Sequence, residues 1–339
     1  MDSVLVYCEL EGSQVAGVSL ELLTKGRTLA SRLGVSLEAV AAGYEIGSVP
    51  AQVIKYGVDV LHLCDDASLA PYTTAPHSAV LEGLIRQLRP QIVLMGATVI
   101  GRDLGPRVSS ALGSGLTADC TELEIGDYED TRSGATYGNL LYQIRPAFGG
   151  NIIATIVNPE HRPQMATVRQ GVMRSQVLDV SYKGRVVSHF AQDFITPEMC
   201  LVKVLERHLE MPSHHLDSAP VVIAGGYGMG DRENFDMLFE LARLLHGEVG
   251  ASRAAVDAGF ADHDRQIGQT GITVRPRLYI ACGISGQIQH VAGMRESNLI
   301  VSINQDPDAP INAIADYVIT GRVEDVLPRL IAQCKSQLK

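Results

Sequence analysis

Short apolar segments alternate with amphipathic ones along most of this chain, and that alternation restricts its fold more than any other feature. Residues 3–8 (SVLVYC), 37–42, 58–64 and 92–96 are short and almost continuously apolar, the pattern of strands buried on both faces. Between them, Val18, Leu22, Leu29 and Leu33 recur at helical spacing before Gly34. Residues 50–56 read as a short helix, and 76–88 as a helix stopped by Pro90. Strands alternating with helices predict a parallel sheet covered on both faces. From Leu116 the pattern changes. Residues 123–125, 135–144 and 151–157 read as strands joined by short turns, an antiparallel edge or extension on the parallel sheet. Periodicity fades across 187–197, which places a first domain at 1–193 and a second at 194–339.

The second half repeats the alternation with more glycine. A helix is expected over 198–210, a polar turn over 211–219 and a strand over 220–224, running into Gly225-Gly226-Tyr227-Gly228-Met229-Gly230. A helix over 231–246 follows, and a strand at 315–320 and a helix at 323–337 come last. The domain is organised around 250–304. There LYIAC (278–282) reads as a buried strand, and Gly283-Ile284-Ser285-Gly286 leads into a helix over 287–294 with Ser285 near its N-cap. A strand, a glycine turn and a helix N-terminus present free backbone N–H groups at a positive dipole end, which suits a phosphate. Ser252, Arg253, Gln269, Thr270, Ser285, Gln289, His290 and Asn304 lie in four blocks around that turn. Ligands of open α/β sheets bind at this edge, the C-terminal ends of the strands. As a dinucleotide fingerprint, however, GGYGMG has the wrong spacing, and no acidic residue about 20 positions on ends a clear second strand. A plain NAD site is therefore not expected.

Composition closes off several classes. A net charge of −10 without a basic run argues against a nucleic-acid partner. The six cysteines (8, 64, 120, 200, 282 and 334) lack metal-site spacing and read as buried thiols in a reducing compartment. No cationic presequence and no membrane-spanning apolar run is visible, so a cytoplasmic protein without membrane insertion is expected. GxSxG, HExxH and a Walker lysine are all missing, and no acid–base pair stands out. His161, His214 and His215 read as solvated turn residues.

The blocks VGASRAAVDAGF, IGQTG, GISGQIQH and IVSINQDPDAPI, in that order, resemble the flavin domain of the α subunit of electron-transfer flavoproteins, over residues 221–330. GATVIGRDLGPRVSSAL and GLTADCTELEI extend a weaker resemblance into the N-terminal part. The resemblance implies two α/β domains, each a parallel-sheet nucleotide-binding-type fold, the first without a cofactor and the second binding FAD. It also makes GRDLGPRVSSAL (101–112), phosphate-ready in composition, a structural helix start. The chain would pair with a β subunit and pass single electrons between an acyl-CoA dehydrogenase and another redox partner. The chemistry is then the flavin's, and the protein supplies binding, orientation and charge. Residues 190–197 become a candidate hinge for a swinging flavin domain.

On the residues alone, Arg253 is by default a surface arginine, Gln269-Thr270 the tip of a type II turn, His290 a satisfied helix histidine and Asn304 a turn residue. The resemblance gives each a place around FAD. Arg253 becomes a fixed positive charge near the ring, favouring its anionic reduced forms. Thr270 comes near N5 with Gln269 beside it, and His290 donates to the C2 carbonyl. Ser252 lies on the pyrophosphate side, and Ser285, Gly286, Gln287, Ile288 and Gln289 form a phosphate cradle. Asn304 meets the adenosine, and Gly228, Ile267 and Gly268 complete the implied FAD-binding set. Two departures stand out: Tyr227 replaces the arginine that commonly follows the two glycines, with Arg232 nearby, and Arg322-Val323 replaces a common aspartate-led pair. RPAFGGN (145–151) and GLTADC are similar to bacterial, often anaerobe, members. They extend the reading to electron bifurcation, in which NADH reduces a second FAD on the β subunit and ferredoxin or flavodoxin takes one electron. The rival readings are a non-redox nucleotide-binding module of the NAD-dependent deacylase type and a scaffold without cofactor.

Overall fold

The structure, a computed structural model, describes residues 3–131, 134–147, 152–206, 216–217 and 219–337. Those up to 206 form one compact unit and those from 216 a second. The stretch 194–206, expected to open the second domain, groups with the first.

The first unit begins β1 (Ser3–Tyr7), β2 (Leu10–Glu11), β3 (Gln14–Val15), α1 (Gly17–Leu33), β4 (Ser36–Gly43), α2 (Val49–Val53) and β5 (Val60–Asp65). It continues α3 (Thr74–Leu88), β6 (Ile92–Gly96), α4 (Val99–Leu112), β7 (Leu116–Cys120), β8 (Glu122–Glu129) and β9 (Thr136–Ala147). Strands β10 (Ile152–Ile156), β11 (Gln164–Val168) and β12 (Arg185–His189) complete it. Seven strands form one sheet in the order β12-β5-β4-β1-β6-β11-β7, every pair parallel. Its winding reverses between β1 and β6. Val4 and Val6 face a core with Leu22 and Leu23 of α1, whereas Leu5 and Tyr7 face Leu81 and Leu84 of α3 and Leu104 of α4. Burial on both faces explains the unbroken apolar run of β1 from Val4 to Tyr7. Helix α1 ends where Gly34 adopts φ 69°, its N–H closing on the carbonyls of Ala30 and Ser31.

Several expectations need correction here. The expected antiparallel extension is a separate three-stranded sheet, β10-β9-β8, and β7 instead joins the parallel sheet beside β11. Neither β11 nor β12 was foreseen. β11 is buried throughout although it carries Gln164 and Thr167, because Gln164 Oε1 accepts the Leu141 N–H and Thr167 Oγ1 the Asp119 N–H. β12 occupies part of the span where periodicity fades, because an edge strand half-open to water needs no apolar run. The helix expected over 198–210 is a single 3₁₀ turn, Pro197–Cys200, followed by irregular chain to 206, and 207–210 lie outside the described residues.

The second unit contains β13 (Val221–Gly225), α5 (Phe235–Leu244), β14 (Glu248–Ala251), α6 (Arg253–Asp257), β15 (Leu278–Cys282) and α7 (Ile288–Val291). β16 (Ile300–Asn304), β17 (Tyr317–Thr320) and α8 (Val323–Gln337) follow. Its five strands run parallel in the order β14-β13-β15-β16-β17, with the reversal between β13 and β15. Helices α5 and α8 cover one face through Phe235, Leu238 and Leu327. The other face is covered mainly by non-helical chain, with Ile267, Val274, Ile284, Met294 and Ile311 packed on Tyr279 and Ala281. β14 was not expected, being four residues with a glycine inside. The helix expected over 287–294 is the short α7, and its N-cap is Gln287 rather than Ser285.

Among the described residues no helix is long and apolar enough to cross a membrane, and no group of His, Cys, Asp and Glu side chains could hold a metal ion. Cys8, Cys64, Cys120 and Cys282 are buried thiols, whereas Cys200 is exposed and Cys334 half-buried. The chain after β12 is seated by Phe194, whose ring lies where a Cβ on Gly83 of α3 would be, 2.3 Å from its Cδ1. Gly83→Val should expel that ring, cost about 1–3 kcal/mol by overpacking and speed limited proteolysis within 190–206. Unchanged cleavage there would show that Phe194 does not hold this segment.

Candidate functional site

The winding of the sheet reverses between β13 and β15, and the C-terminal ends of strands at such a point are where open parallel sheets hold ligands. Two glycine turns meet there. Gly226 N–H donates to Cys282 O at 2.8 Å and Gly228 N–H to Gly283 O at 2.9 Å. A Cβ on Gly226 would lie 2.1 Å from Gly283 O. The glycines of GGYGMG are thus accounted for by close approach of two backbones, and Gly228 packs on Gly283 outside the cleft described below. Tyr227 is 65% exposed and stacks on Phe260, with centroids 5.8 Å apart.

The turn after β15 has a different use for its backbone. Gly283 N–H is tied to Ile303 O at 2.9 Å. Beyond Ile284, the N–H groups of Ser285, Gly286, Gln287 and Ile288 have no acceptor among the described residues. Gly286 has φ +84°, and a Cβ there would meet Ile311 N at 2.4 Å, so any side chain would force the turn open. Asn304 braces this turn from within: its Nδ2 donates to Ile284 O at 2.8 Å and its Oδ1 accepts Asp306 N–H at 3.0 Å.

Beside the turn lies a cleft of about 370 Å³. Ser252, Arg253, Ile267, Gly268, Gln269, Thr270, Ser285, Gln287, Gln289 and His290 all line it, drawn from separate segments. Gly228, Gly286, Ile288 and Asn304 do not. Ser252 caps α6, its Oγ accepting Ala255 N–H at 3.3 Å. The Arg253 side chain is 71% exposed, with Nε 3.4 Å from Asp257 Oδ2. The loop carrying Thr270 is pinned by Ile267 N–H to Ala251 O at 2.8 Å and by Gln269 N–H to Gln289 O at 2.7 Å. Gln266 Nε2 donates to Thr270 Oγ1 at 3.0 Å, which leaves the hydroxyl hydrogen for another acceptor.

His290 is buried between two internal partners. Nδ1 is 3.1 Å from Ile267 O, and a carbonyl only accepts, so Nδ1 carries the hydrogen. Nε2 is then the acceptor of the neutral ring, and Tyr279 O–H donates to it at 2.8 Å. Burial pushes the imidazole down to about 4, with the Ile267 carbonyl opposing. His290 therefore lines the cleft as a neutral ring with both nitrogens engaged, and the expected donation to a ligand carbonyl has no N–H to use. Asp257, Gln266, Ala254 and Ile284 also line the cleft and were missed. Asp257 was readable as the acid four residues after Arg253 on one helix face, and Gln266 as the polar residue immediately before the IGQTG block. Arg322 is exposed after β17 and pairs with Glu324 at 3.3 Å, Arg232 is exposed ahead of α5, and His161 is exposed. His214, His215 and residues 148–151 lie outside the described residues.

The profile of the electron transfer flavoprotein domain matches residues 4–193, and that of the electron transfer flavoprotein FAD-binding domain matches residues 215–295. The chain is 43% identical over 333 residues to electron transfer flavoprotein subunit alpha of Thermoanaerobacterium thermosaccharolyticum, covering 98% of this chain and 97% of that one. Identity to the subunit of the same name in Clostridium acetobutylicum is 45% over 339 residues, with 98% and 97% covered. Acryloyl-CoA reductase electron transfer subunit beta of Anaerotignum propionicum is 36% identical over 354 residues, with 98% and 95% covered.

The buried imidazole has a consequence for stability. Its folded pKa of about 4 lies below the value of roughly 6.5 for an unfolded chain. Between those values the unfolded state binds the extra proton, so this contribution is present above 6.5 and is lost as pH falls toward 4, by roughly 3 kcal/mol. His290→Asn should flatten the acid limb of unfolding of the second unit, followed by urea titration at pH 7 and pH 4.5. An unaltered acid slope would assign that proton to another group.

Proposed function

The chain belongs to the electron transfer flavoprotein family as an α subunit, an electron carrier whose cofactor is FAD, and we propose that the cleft beside β14 and β15 is where FAD is held and tuned. The observation that carries this reading is the run of N–H groups at 285–288 with no acceptor among the described residues, opening beside a cleft lined by an arginine and a hydroxyl donor. Backbone N–H groups in series suit a pyrophosphate, and the close approach at Gly286 to Ile311 is the kind of contact such a cradle requires. These residues fit the group. The N–H groups of 285–288 would hold its phosphates, with Ser252 on the same side, and Gln269, Thr270 and Arg253 would surround the ring. Bound FAD supplies the redox chemistry, and the side chains supply binding, orientation and field.

Each side chain has a definable part. Thr270, its oxygen already accepting from Gln266, points its hydrogen to whatever acceptor enters the cleft. Arg253 supplies the positive charge, and Asp257 at 3.4 Å offsets part of it. Because both are exposed, water screens them, and a partner surface that covers them would strengthen the arginine's effect. His290 contributes a neutral wall.

The α subunit works with a β subunit and with redox partners. We assign an acyl-CoA dehydrogenase or reductase as the partner, supported by the likeness to a subunit whose name couples electron transfer to acryloyl-CoA reductase. The bifurcating extension, with NADH as donor and ferredoxin or flavodoxin as second acceptor, rests on the likeness of 145–151 and of GLTADC alone. The work is assigned to the cytoplasm. The deacylase-type alternative gives way to the family membership.

The αβ complex should be yellow, with FAD recoverable from the α chain. A colourless complex that takes up no added FAD would overturn the proposal. Arg253→Ala should lower the one-electron reduction potential of bound FAD by on the order of 40–80 mV, equivalent to about 1–2 kcal/mol for a partly solvated charge. A redox titration that superimposes on wild type would remove Arg253 from the tuning.

A further inference from the structure

We propose that Tyr279 is a positioning residue of the cleft, whose hydroxyl fixes the tautomer and orientation of His290 and through it the wall that carries Thr270. The proposal deepens the FAD reading above and rests on it for its functional consequence.

Tyr279 lies on β15, the strand between β13 and β16, and is fully buried. Alternation along β15 turns Tyr279 and Ala281 toward the loop-covered face and Ile280 and Cys282 toward the helices. A phenol there must find a partner for its hydroxyl or lose its hydration uncompensated. The partner is His290 Nε2, at 2.8 Å. Across the ring, Nδ1–H donates to Ile267 O at 3.1 Å. The chain from hydroxyl to imidazole to carbonyl joins three segments distant in sequence: β15, the α7 turn and the loop that begins at Gln266. One residue before Ile267, Gln266 holds the Thr270 hydroxyl at 3.0 Å. Tyr279 lies outside the cleft and acts on its wall through His290.

The hydroxyl also decides between two imidazole arrangements. With O–H donating to Nε2, the hydrogen of the neutral ring is confined to Nδ1, where Ile267 O needs it. Without that donor, Nε2 is a buried lone pair with nothing to accept. The ring then gains from carrying its hydrogen at Nε2 or from turning over, and either change leaves Ile267 O without its donor. Burial raises the phenol well above its ordinary value, so near neutral pH the hydroxyl keeps its hydrogen to donate.

The test uses Tyr279→Phe, which keeps the ring in its place and removes one oxygen, in the assembled αβ complex. Thermal melting and near-UV dichroism confirm that the variant is folded. The first arm needs no flavin: ¹⁵N resonances of His290 in histidine-labelled complex. Wild type should show a protonated Nδ1 and a bare, hydrogen-bonded Nε2, and Y279F should move Nε2 toward the position of a free acceptor. A His290 carrying its hydrogen on Nε2 in wild type, or an Nε2 resonance unmoved in Y279F, would overturn the proposal. The second arm is a double-mutant cycle on the reduction potential of bound FAD, with wild type, Y279F, H290N and the double variant. Y279F should shift the potential when His290 is present and leave it unshifted in H290N. No shift in either background, or an equal shift in both, would show that Tyr279 does not act through His290. A complex that failed to bind FAD would sink the functional reading and leave the first arm to judge Tyr279 by itself.

Discussion

Backbone N–H groups without an acceptor are the constraint on which the second unit is built. A parallel strand that turns at once into a helical turn leaves several of them at one place, and a protein must pair them, solvate them or lend them to a ligand. At the β13 turn they are paired: Gly226 and Gly228 give theirs to β15 and the turn after it, which is why those positions have no side chains. At the β15 turn they stay open from Ser285 to Ile288, and the surrounding bonds keep that turn in shape. Ile311 N–H holds Ser285 O at 3.1 Å, and Asn304 holds Ile284 O. Several hydrogen bonds thus serve to keep other donors free.

The first unit meets the same constraint with the opposite outcome. Its sheet also reverses, between β1 and β6, and α4 starts at that edge. There the chain supplies its own cap. Thr98 caps α4 by accepting Gly101 N–H at 3.0 Å and donates its hydroxyl to Glu9, whose own N–H is held by Ser19 Oγ at 2.9 Å. Burial raises the Glu9 carboxyl above the usual carboxylate range, with the Thr98 hydrogen bond opposing. The start of GRDLGPRVSSAL is thus capped from within the chain, by Thr98, and Thr98 is held by Glu9.

How much of this was legible in the sequence follows from what each residue does. Strands buried on both faces, such as β1, β6 and β15, declare themselves by apolar runs, and α1 by its period and the glycine that ends it. Edge and polar-bearing strands do not. The side-chain oxygens of buried β11, Gln164 Oε1 and Thr167 Oγ1, accept backbone N–H groups from β9 and β7, a tertiary fact that no local pattern records. The cleft was legible block by block, because close backbone approach demands glycine and each glycine marks its neighbours. Illegible were the bonds between blocks. Tyr279 in LYIAC reads as one more apolar strand residue, and His290 reads as a donor until its two partners are seen.

Those bonds separate the polar residues around the cleft into two sorts. Asn304, Gln266, Tyr279 and His290 are buried and spend their hydrogen bonds on other parts of the protein. Arg253, the Thr270 hydroxyl hydrogen and the N–H groups of 285–288 are left over and face outward in chemical terms. The first sort fixes geometry, and its loss would be felt as a loosened wall. The second sort sets charge and donor direction, and its loss would be felt by whatever occupies the cleft. A neutral imidazole belongs with the first sort. Its low proton affinity and its two internal partners argue the same point independently, one from desolvation and the other from geometry. In the FAD reading proposed above, the positive charge in the cleft is that of Arg253, weakened by Asp257, and partner surfaces that bury or separate that pair would have leverage on the bound flavin.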